Sequence, residues 1–342
     1  MTENSNRSTT KPVNPTPAVR DPLVALDNVS VHFTVRKGLF GVQTVKAVDG
    51  VTLHLQRGEV VAVVGESGSG KTTLGRASLG LVKPTLGEVR FAQQDLAHLT
   101  RTALKAYRRR AQAIFQDPFA TIDPYMTIYE TVAEPLVIHG IGAEAERRER
   151  VYAALREVRL TPVEEIAERY PHQLSGGQRQ RAGIARALVL QPDYILADEP
   201  VSMVDASSRA ELLYLLRDLR DRLSITFLYI THDIATARHF AHRIVVMYLG
   251  KVVEHGPAAA VVDNPQHPYT RALIAAVPEP APANRLQERA VVQGEPPSPS
   301  QAPTGCAFHP RCPAYLAGRC ETKPPPLREV EPDHWVACVL YD

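Results

Sequence analysis

The stretch Val60-Val-Ala-Val-Val-Gly-Glu-Ser-Gly-Ser-Gly-Lys-Thr-Thr73 decides the fold. Its first five residues are apolar and mostly β-branched, which is typical of a strand buried on both faces. The segment from Gly65 to Thr72 then matches the pattern G-x-x-x-x-G-K-[ST], in which backbone amides wrap around phosphates. A strand, a glycine-rich turn and a helix start in this order predict a P-loop in an α/β protein that binds nucleotides.

We expect the P-loop to bind ATP together with Mg²⁺. The ammonium of Lys71 suits the β- and γ-phosphates, and the hydroxyl of Thr72 suits Mg²⁺. A flexible Gly/Ser loop beside a chance lysine is the alternative, and the flanking strand and helix patterns disfavour it. The residues predicted to bind ATP are Gly65, Glu66, Ser67, Gly68, Ser69, Gly70, Lys71, Thr72 and Thr73.

A pair of carboxylates follows a second buried strand. The apolar run from Tyr194 to Ala197 ends in Asp198 and Glu199, and the carboxyl end of such a strand faces the ligand crevice of an open α/β sheet. We expect Asp198 to ligate Mg²⁺ and Glu199 to polarise the attacking water. An acidic pair that merely caps the strand is the alternative. It is disfavoured because two adjacent like charges beside a phosphate site need a cation.

The remaining patterns indicate how the elements are arranged. Residues 23–35 and 45–64 are rich in β-branched residues, and residues 101–160 have mainly helical periodicity. Strand, helix and strand patterns then follow one another over residues 194–197, 209–222 and 225–230. This alternation predicts parallel βαβ units behind an antiparallel β region, and therefore an α/β body.

Proline and cysteine divide the chain into three parts. Of the 28 prolines in 342 residues, four lie in residues 1–22 and 13 in residues 278–342, and the latter stretch also contains all four cysteines. We expect a disordered tail over 1–22 and a nucleotide-binding domain over 23–277, with a helical subdomain at about 101–190. The small Cys-rich appendage over 278–342 is expected to be a C-terminal extension.

Composition and charge exclude several classes of protein. Apolar residues make up 44% and charged residues 22%, so the chain is not intrinsically disordered. The sequence has no apolar run near the ~18 residues that cross a bilayer, and its polar start has no apolar segment typical of a signal peptide. We therefore expect a cytosolic protein. A net charge of +2 offers no field for nucleic acid, so no nucleic-acid partner is expected.

A second glycine-rich motif carries a family resemblance. Leu174-Ser-Gly-Gly-Gln178 precedes a helical pattern and forms another anion-binding helix terminus, and it resembles the signature motif of ATP-binding cassette (ABC) ATPases. The resemblance extends over residues 23–277 and implies a P-loop NTPase of the ABC-ATPase type, with antiparallel β and helical subdomains. Two such domains pack head to tail in that family. The resemblance therefore implies that Ser175, Gly176, Gly177 and Gln178 close over ATP held by a second ATPase subunit.

The same resemblance assigns roles to four further residues. Gln116, in AIFQDPFATIDP, resembles the Q-loop glutamine that reaches Mg²⁺ and the attacking water, beside the surface that meets the membrane subunits. His232, in LYITHD, resembles the switch histidine that contacts the γ-phosphate, and Asp205 resembles the D-loop aspartate between the two sites. The D-loop differs from the usual SALD, since this chain has SMVD. Phe40 is the candidate aromatic for stacking on adenine.

A narrower resemblance comes from the end of the chain. The segment from Asn264 to Leu273, with its His-Pro-Tyr-Thr sequence, and the cysteines after it resemble the ATPases of oligopeptide and dipeptide importers. The sequences VKAVDGVTLHLQRGE and IFQDPFATIDP are more similar to the second of the two ATPase subunits in that subfamily, which implies a heterodimer. This implies an ATPase at the cytoplasmic face of the membrane, with two transmembrane permease subunits and, indirectly, an extracytoplasmic solute-binding protein. The alternatives are a soluble ABC ATPase that acts on nucleic acid or ribosomes, and an importer of oligosaccharide or nickel.

Four cysteines form a candidate metal site, with five, seven and 17 residues between successive members: Cys306, Cys312, Cys320 and Cys338. Soft thiolates suit Zn²⁺ or an iron–sulfur cluster, and the lack of a short C-x₂₋₄-C pair favours the cluster. The subfamily resemblance likewise implies a 4Fe-4S centre. His309 and His334 leave a Cys/His zinc site open, and free thiols or disulfides are the third possibility. In a short proline-rich segment, such a metal would act mainly as a structural staple.

Overall fold

The computed structural model describes residues 21–37, 41–277 and 294–342. The proposed adenine-stacking residue, Phe40, and nearly all of the predicted tail over 1–22 lie outside these described residues.

A four-stranded antiparallel sheet forms one layer, in the order β2-β1-β4-β5. The first two strands pair over almost their whole length, from Val24 opposite Leu55 to Lys37 opposite Gly41. Alternating apolar residues of these strands are buried against the first helix of the body, as a half-buried sheet requires. The strands are β1 (Val24–Lys37), β2 (Gly41–Leu55), β4 (Leu86–Phe91) and β5 (Gln94–Asp95).

The second sheet has eight strands in the order β11-β12-β10-β9-β3-β8-β7-β6. Its strands are β3 (Val60–Val64), β6 (Ala111–Ile114), β7 (Tyr194–Asp198), β8 (Thr226–Thr231), β9 (Arg243–Tyr248), β10 (Lys251–Pro257), β11 (Arg328–Glu331) and β12 (His334–Val336). Strands β6, β7, β8, β3 and β9 run parallel, and the others join antiparallel at one edge. Strands β3, β7 and β8 are fully buried, which explains their unbroken apolar runs.

Helices cover the parallel sheet and form a separate group beside it. They are α1 (Lys71–Ser78), α2 (Arg101–Arg110), α3 (Pro118–Thr121), α4 (Ile128–His139), α5 (Glu144–Glu157), α6 (Val163–Glu168), α7 (Gly176–Leu188), α8 (Ala206–Leu223), α9 (Ile234–Phe240), α10 (Ala258–Asp263) and α11 (Pro268–Ala275). Short 3₁₀ turns span Leu96–His98, Pro171–Gln173, Pro299–Gln301, His309–Arg311 and Val339–Tyr341. Within residues 21–37, 41–277 and 294–342, no helix is both long and apolar enough to cross a membrane.

The region expected to be a helical subdomain, about 101–190, has two parts in the structure. Helices α3 to α7 pack on one another around buried apolar residues such as Leu136 and Leu155. Helix α2 instead packs against the antiparallel sheet, with Tyr107 edge-on to Phe91, and β6 pairs in parallel with β7. Residues 101–114 therefore lie with the sheets, and the helical group begins at α3.

The C-terminal residues extend the main sheet. Strand β12 pairs with β10, with Val336 opposite Glu254. The Glu254 carboxylate is fully buried and accepts the backbone N–H groups of Gln266 and His267, each at 2.8 Å. Its Oε1 also lies 2.7 Å from Nε2 of the buried His334. One carboxylate thus joins β10, the segment before α11 and the first residue of β12.

Removing the Glu254 carboxylate should destabilise the contact between β10, β12 and the segment before α11. We expect Glu254→Ala to lower the free energy of unfolding by about 3–5 kcal/mol, because it leaves a buried imidazole, one buried amide and one half-buried amide without their acceptor. Urea denaturation followed by circular dichroism measures the change. Glu329→Ala, at an exposed position of β11, is the matched control and should cost less than about 1 kcal/mol. Equal stability of the two variants would contradict this role of Glu254.

Candidate functional site

The P-loop is held by close backbone contacts that only glycine permits. Gly70 has a φ of 101°, and a Cβ on it would lie 2.1 Å from the carbonyl oxygen of Ala47 in β2. A Cβ on Gly65 would lie 2.3 Å from the carbonyl oxygen of Met247 in β9. Any side chain at either position would therefore push the loop away from the sheets. The two glycines set the path of the chain from β3 into α1.

Lys71 is buried at the first turn of α1, with only 5% of its surface exposed. Its Nζ donates to the carbonyl oxygens of Gly65 and Glu66, each at 2.8 Å. Burial lowers the pKa of Lys71, and the charges of Glu199, Asp198 and Glu66 partly offset that effect. A buried cation held at a helix N-terminus beside exposed glycine amides is a site for phosphate.

Thr72 and Asp198 place two oxygen ligands side by side. The Thr72 hydroxyl donates to Oδ1 of Asp198 at 3.1 Å, so the start of α1 meets the end of β7. Burial raises the pKa of Asp198; the hydroxyl of Thr72 opposes this shift and the nearby charge of Glu199 adds to it. A hydroxyl beside a buried carboxylate is the donor set that Mg²⁺ prefers, so these residues fit the ion that the family implies.

Glu199 connects three elements. Its backbone has a φ of 47° although it is not glycine, and its N–H donates to the carbonyl of Ile230 at 2.9 Å. Its Oε2 lies 3.3 Å from Nε2 of Gln116 and 3.2 Å from Nδ1 of His232. Left-handed backbone at such a residue is often found where a side chain must be aimed at a site. Residues from three separate motifs thus converge on one carboxylate.

These groups surround a cavity of about 620 Å³, lined by Val45, Ala47, Ser67, Gly68, Gly70, Lys71, Thr72, Thr73, Gln116, Glu199 and His232. The other predicted ATP-binding residues of the loop, Gly65, Glu66 and Ser69, are not among the lining residues. Val45 and Ala47 are not among the predicted site residues. An apolar residue in a strand gives the same pattern whether it faces a core or a ligand, so no signal could have revealed them.

The signature residues lie outside this cavity. Ser175 caps α7, and its Oγ accepts the N–H of Gln178 at 3.2 Å. The Gln178 amide oxygen in return accepts the N–H of Ser175 at 3.0 Å, which completes a capping box. Among the described residues that line the cavity, none belongs to the signature. The helix terminus, with Gly176 and Gly177, is therefore formed, and it lies outside the described lining of this chain's own P-loop cavity.

Asp205 caps helix α8 near the signature. It accepts the N–H of Ser208 at 3.0 Å and the hydroxyls of Ser207 and Ser208, and these hydrogen bonds hold its pKa well below the usual range. A Cβ on Gly177 would lie only 3.2 Å from the Ser208 hydroxyl. The start of α8 therefore packs directly on the signature glycines. Asp205 lies exposed at this junction, outside the described lining of the P-loop cavity.

The four cysteines are free thiols, two of them buried and two half-buried. The Cys320 sulfur accepts the backbone N–H of Leu316 at 3.4 Å. Burial raises the pKa of Cys306, Cys312 and Cys338, and the backbone groups of Phe308, Ala314 and Leu340 partly offset that effect. Burial raises the pKa of Cys306 to about 11, and negative charge on the other three thiols would raise it further.

The two histidines near the cysteines have other partners. His334 contacts Glu254, and Nδ1 of His309 lies 2.9 Å from the carbonyl oxygen of Cys306. In the part of the chain that the structure describes, no three His, Cys, Asp or Glu side chains are arranged to hold a single metal ion.

Comparison with known proteins identifies two family regions. Residues 48–202 match the family model described as ABC transporter, and residues 253–320 match the model for the C-terminal region of oligopeptide/dipeptide transporters. The latter match includes three of the four cysteines.

Individual relatives cover nearly the whole chain. A Brucella ovis protein named for peptide import ATP-binding is 48% identical over 93% of this chain and 98% of its own length. The oligopeptide transport ATP-binding protein AppF of Bacillus subtilis is 44% identical over 95% of this chain and 99% of its own.

Solved structures share the cassette fold. The dimeric ATP-binding cassette MJ0796, bound to ADP and phosphate in a post-hydrolysis state, has a TM-score of 0.60 and 34% identity, over 69% of this chain and 98% of its own. CbiO1 of Clostridium perfringens, part of an ABC transporter complex, has a TM-score of 0.62 and 27% identity, over 72% and 92%.

Removing the Thr72 hydroxyl should weaken the response to Mg²⁺. We expect Thr72→Ala to raise the Mg²⁺ concentration for half-maximal ATP hydrolysis by about tenfold, since one of two adjacent oxygen donors is lost. Thr72→Ser keeps the hydroxyl and serves as the control, with a change below about threefold. A magnesium titration of ATPase activity measures both. If Thr72→Ala and Thr72→Ser required the same Mg²⁺ concentration, the hydroxyl would not be a ligand.

Proposed function

The chain belongs to the ABC transporter family of ATPases, and from that membership we propose that it powers the import of peptides as one of two ATPase subunits of a membrane complex. One observation carries the proposal. The P-loop cavity gathers a buried lysine, a glutamate and the Thr72 hydroxyl that donates to the Asp198 carboxylate, whereas the signature helix terminus of the same chain lies outside the described lining. A complete site therefore needs the signature of a second subunit.

The residues of the cavity suggest how the reaction proceeds. Lys71 and the loop amides would bind the β- and γ-phosphates of ATP, while Thr72, Asp198 and Gln116 would hold Mg²⁺. When bound, Mg²⁺ neutralises the charge that develops on the phosphates. Glu199 would accept hydrogen bonding from the attacking water and polarise it.

Gln116 and His232 would orient the carboxylate of Glu199. Each contacts Oε2 of Glu199, so together they restrict its rotation. His232 would in addition reach the γ-phosphate, and loss of this phosphate after hydrolysis would release it. The position of His232 would thus depend on whether the γ-phosphate is present.

Closure of the dimer would pair each P-loop with the partner's signature. The amides of Gly176 and Gly177 begin a 13-residue helix, and this positive terminus suits the γ-phosphate in the partner's site. Asp205, beside the same glycines, would lie where the two sites meet. The partner is a second ATPase subunit, and the ATP itself joins the two chains.

A surface cavity beside the Q-loop suits the membrane subunits. It has a volume of about 490 Å³, and its lining includes Phe115, Ile122, Pro135, Ile138 and Arg186. Arg186 of α7 donates to the carbonyl of Thr121 at 2.9 Å and to Glu134 at 2.6 Å, which fixes the wall of the cavity. Apolar walls next to Gln116 would receive a permease segment and transmit its position to the ATP site.

The transported solute is proposed from the relatives. Proteins named for peptide and oligopeptide transport cover 93% or more of this chain at 44–48% identity, and the C-terminal match is to oligopeptide/dipeptide transporters. The chain would then lie peripherally at the cytoplasmic face of the membrane and interact with two permease subunits. A solute-binding protein would act on the complex only indirectly, from the opposite side.

The glutamate variant tests the catalytic assignment. We expect Glu199→Gln to bind ATP normally and to hydrolyse it at least about 100-fold more slowly, because the amide cannot polarise water as a base does. ATP should then hold the two subunits together, which sedimentation or size-exclusion chromatography of the complex would detect. Glu211→Gln, in the exposed part of α8, is the control. Normal hydrolysis by Glu199→Gln would show that another group is the base.

We further propose that the four cysteines hold an iron–sulfur cluster, with Zn²⁺ as the alternative. The proximity of the thiols supports this, because the charges of Cys338, Cys312 and Cys320 all act on Cys306, and the Cys320 sulfur accepts the N–H of Leu316, a donor that stabilises a thiolate. Since burial and the charges of the neighbouring thiols oppose the ionisation of Cys306, Cys312 and Cys338, thiolates held together there would require a cationic centre. Bound there, the group would tie the turn at 306–312 to Cys338, the second residue after β12.

Metal analysis of anaerobically purified protein distinguishes these cases. We expect iron and a broad visible absorption band, both of which Cys320→Ser should remove, since Cys320 is the most buried of the four thiols. Ser298→Ala, in the same C-terminal region, should retain both. A colourless protein with zinc would refute the cluster and support the alternative, while a metal-free protein would refute both.

A further inference from the structure

An ion pair joins the C-terminal extension, which the structure describes over residues 294–342, to the P-loop. The guanidinium of Arg311 donates from Nη1 to Oε2 of Glu66 at 2.8 Å and from Nη2 to Oε1 at 3.1 Å. The two residues are 245 positions apart in sequence. Only 7% of the Arg311 side chain and 27% of the Glu66 side chain are exposed. A bidentate pair with this degree of burial has a defined geometry, unlike a surface ion pair.

A second contact holds the backbone of the same glutamate. The N–H of Glu66 donates to the hydroxyl of Tyr269 at 2.8 Å. Tyr269 lies in α11 and is fully buried, with its ring 4.7 Å from that of Tyr248 and 5.3 Å from that of Phe308. The hydroxyl of Tyr248 lies 3.3 Å from Nη1 of Arg311. Arg311 thus binds the carboxylate of Glu66 and Tyr269 binds its backbone N–H, and both residues belong to the C-terminal third of the chain.

Glu66 is placed where its charge matters to the nucleotide. Its carbonyl accepts Nζ of Lys71, and its negative charge acts on that lysine. An unpaired carboxylate at this position would repel the phosphates that Lys71 and the loop amides attract. Arg311 neutralises the carboxylate, and an arginine remains charged under all physiological conditions. The pair therefore removes a repulsive charge from the rear of the phosphate site.

We propose that Arg311 is a positioning residue for the P-loop, by which the C-terminal region holds and neutralises Glu66 and so sets this subunit's affinity for ATP. Arg311 ends the 3₁₀ turn His309–Arg311 and directly precedes Cys312. The turn between Cys306 and Cys312 therefore also carries the contact to the nucleotide site. ATP affinity should in consequence report whether this region is docked on the body.

Nucleotide titration of the full-length chain tests the proposal. Binding of ATP with Mg²⁺, measured by calorimetry, should be about tenfold weaker in Arg311→Met, which leaves Glu66 charged and unpaired. Glu66→Gln leaves the positive charge of Arg311 unpaired beside the loop and should bind ATP up to about threefold more tightly than the wild type. The double variant should return to within about threefold of the wild type, because the charge that Arg311 neutralises is gone.

The rescue separates this role from a general loss of structure. If Arg311→Met merely loosened the C-terminal region, the second substitution would not restore binding, and the proposal would be overturned. Wild-type affinity in Arg311→Met would overturn it as well. Arg328→Met is the matched control, since Arg328 pairs with Asp342 in the same region at 2.9 Å without touching the P-loop. Its affinity for ATP should be unchanged.

A conservative variant covers the case in which Arg311→Met does not fold. Arg311→Lys keeps the positive charge but cannot make two parallel hydrogen bonds to the carboxylate. We expect it to weaken ATP binding by about threefold, and Glu66→Gln in the same chain should abolish that loss. An Arg311→Lys variant whose ATP affinity stays reduced in the Glu66→Gln background would contradict the proposal.

Discussion

Two backbone carbonyl oxygens, those of Met247 and Ala47, lie so close to the P-loop that they fix its position, and the rest of the site depends on this constraint. Gly65 passes Met247 of β9 and Gly70 passes Ala47 of β2 at distances that exclude any side chain. Because the loop cannot shift, α1 starts at a fixed point above the centre of the main sheet. Lys71 and Thr72 are thereby brought to the ends of β7 and β8, where Asp198, Glu199 and His232 emerge. Sheet order and glycine sterics together build the phosphate site.

Much of this site could be predicted from the sequence because its parts lie in short, strongly patterned segments. The run Val60–Val64 has one explanation, a strand buried on both faces, and the loop after it follows directly. The family resemblance assigns Gln116 and His232 to the same site as Glu199, since neither residue has a local pattern of its own. Their common contact at one carboxylate oxygen required the structure, since strand order cannot be deduced from one sequence.

Other features had no local signal. Strand β12 has only three residues in a proline-rich segment, so its pairing with β10 depends on the distant Glu254 rather than on its own pattern. The four-residue strand β6 follows a helix directly and looks like its continuation. The contact between Arg311 and Glu66 joins residues 245 positions apart. Such pairs depend on tertiary packing, which a periodicity search does not detect.

Two other regions complete the P-loop site. This chain's own signature terminus lies outside the described lining of the cavity, so the signature of a second subunit would complete it. Tyr269 and Arg311, from the C-terminal third of this chain, hold Glu66 of the P-loop. In the assembled complex, ATP should lie between the P-loop of one subunit and the signature of another. Photocleavage by trapped ADP–vanadate checks this arrangement, because vanadate occupies the γ-phosphate position and cuts adjacent backbone. We expect cuts in this chain both at residues 65–72 and at residues 175–178. Cuts confined to the P-loop would contradict the arrangement.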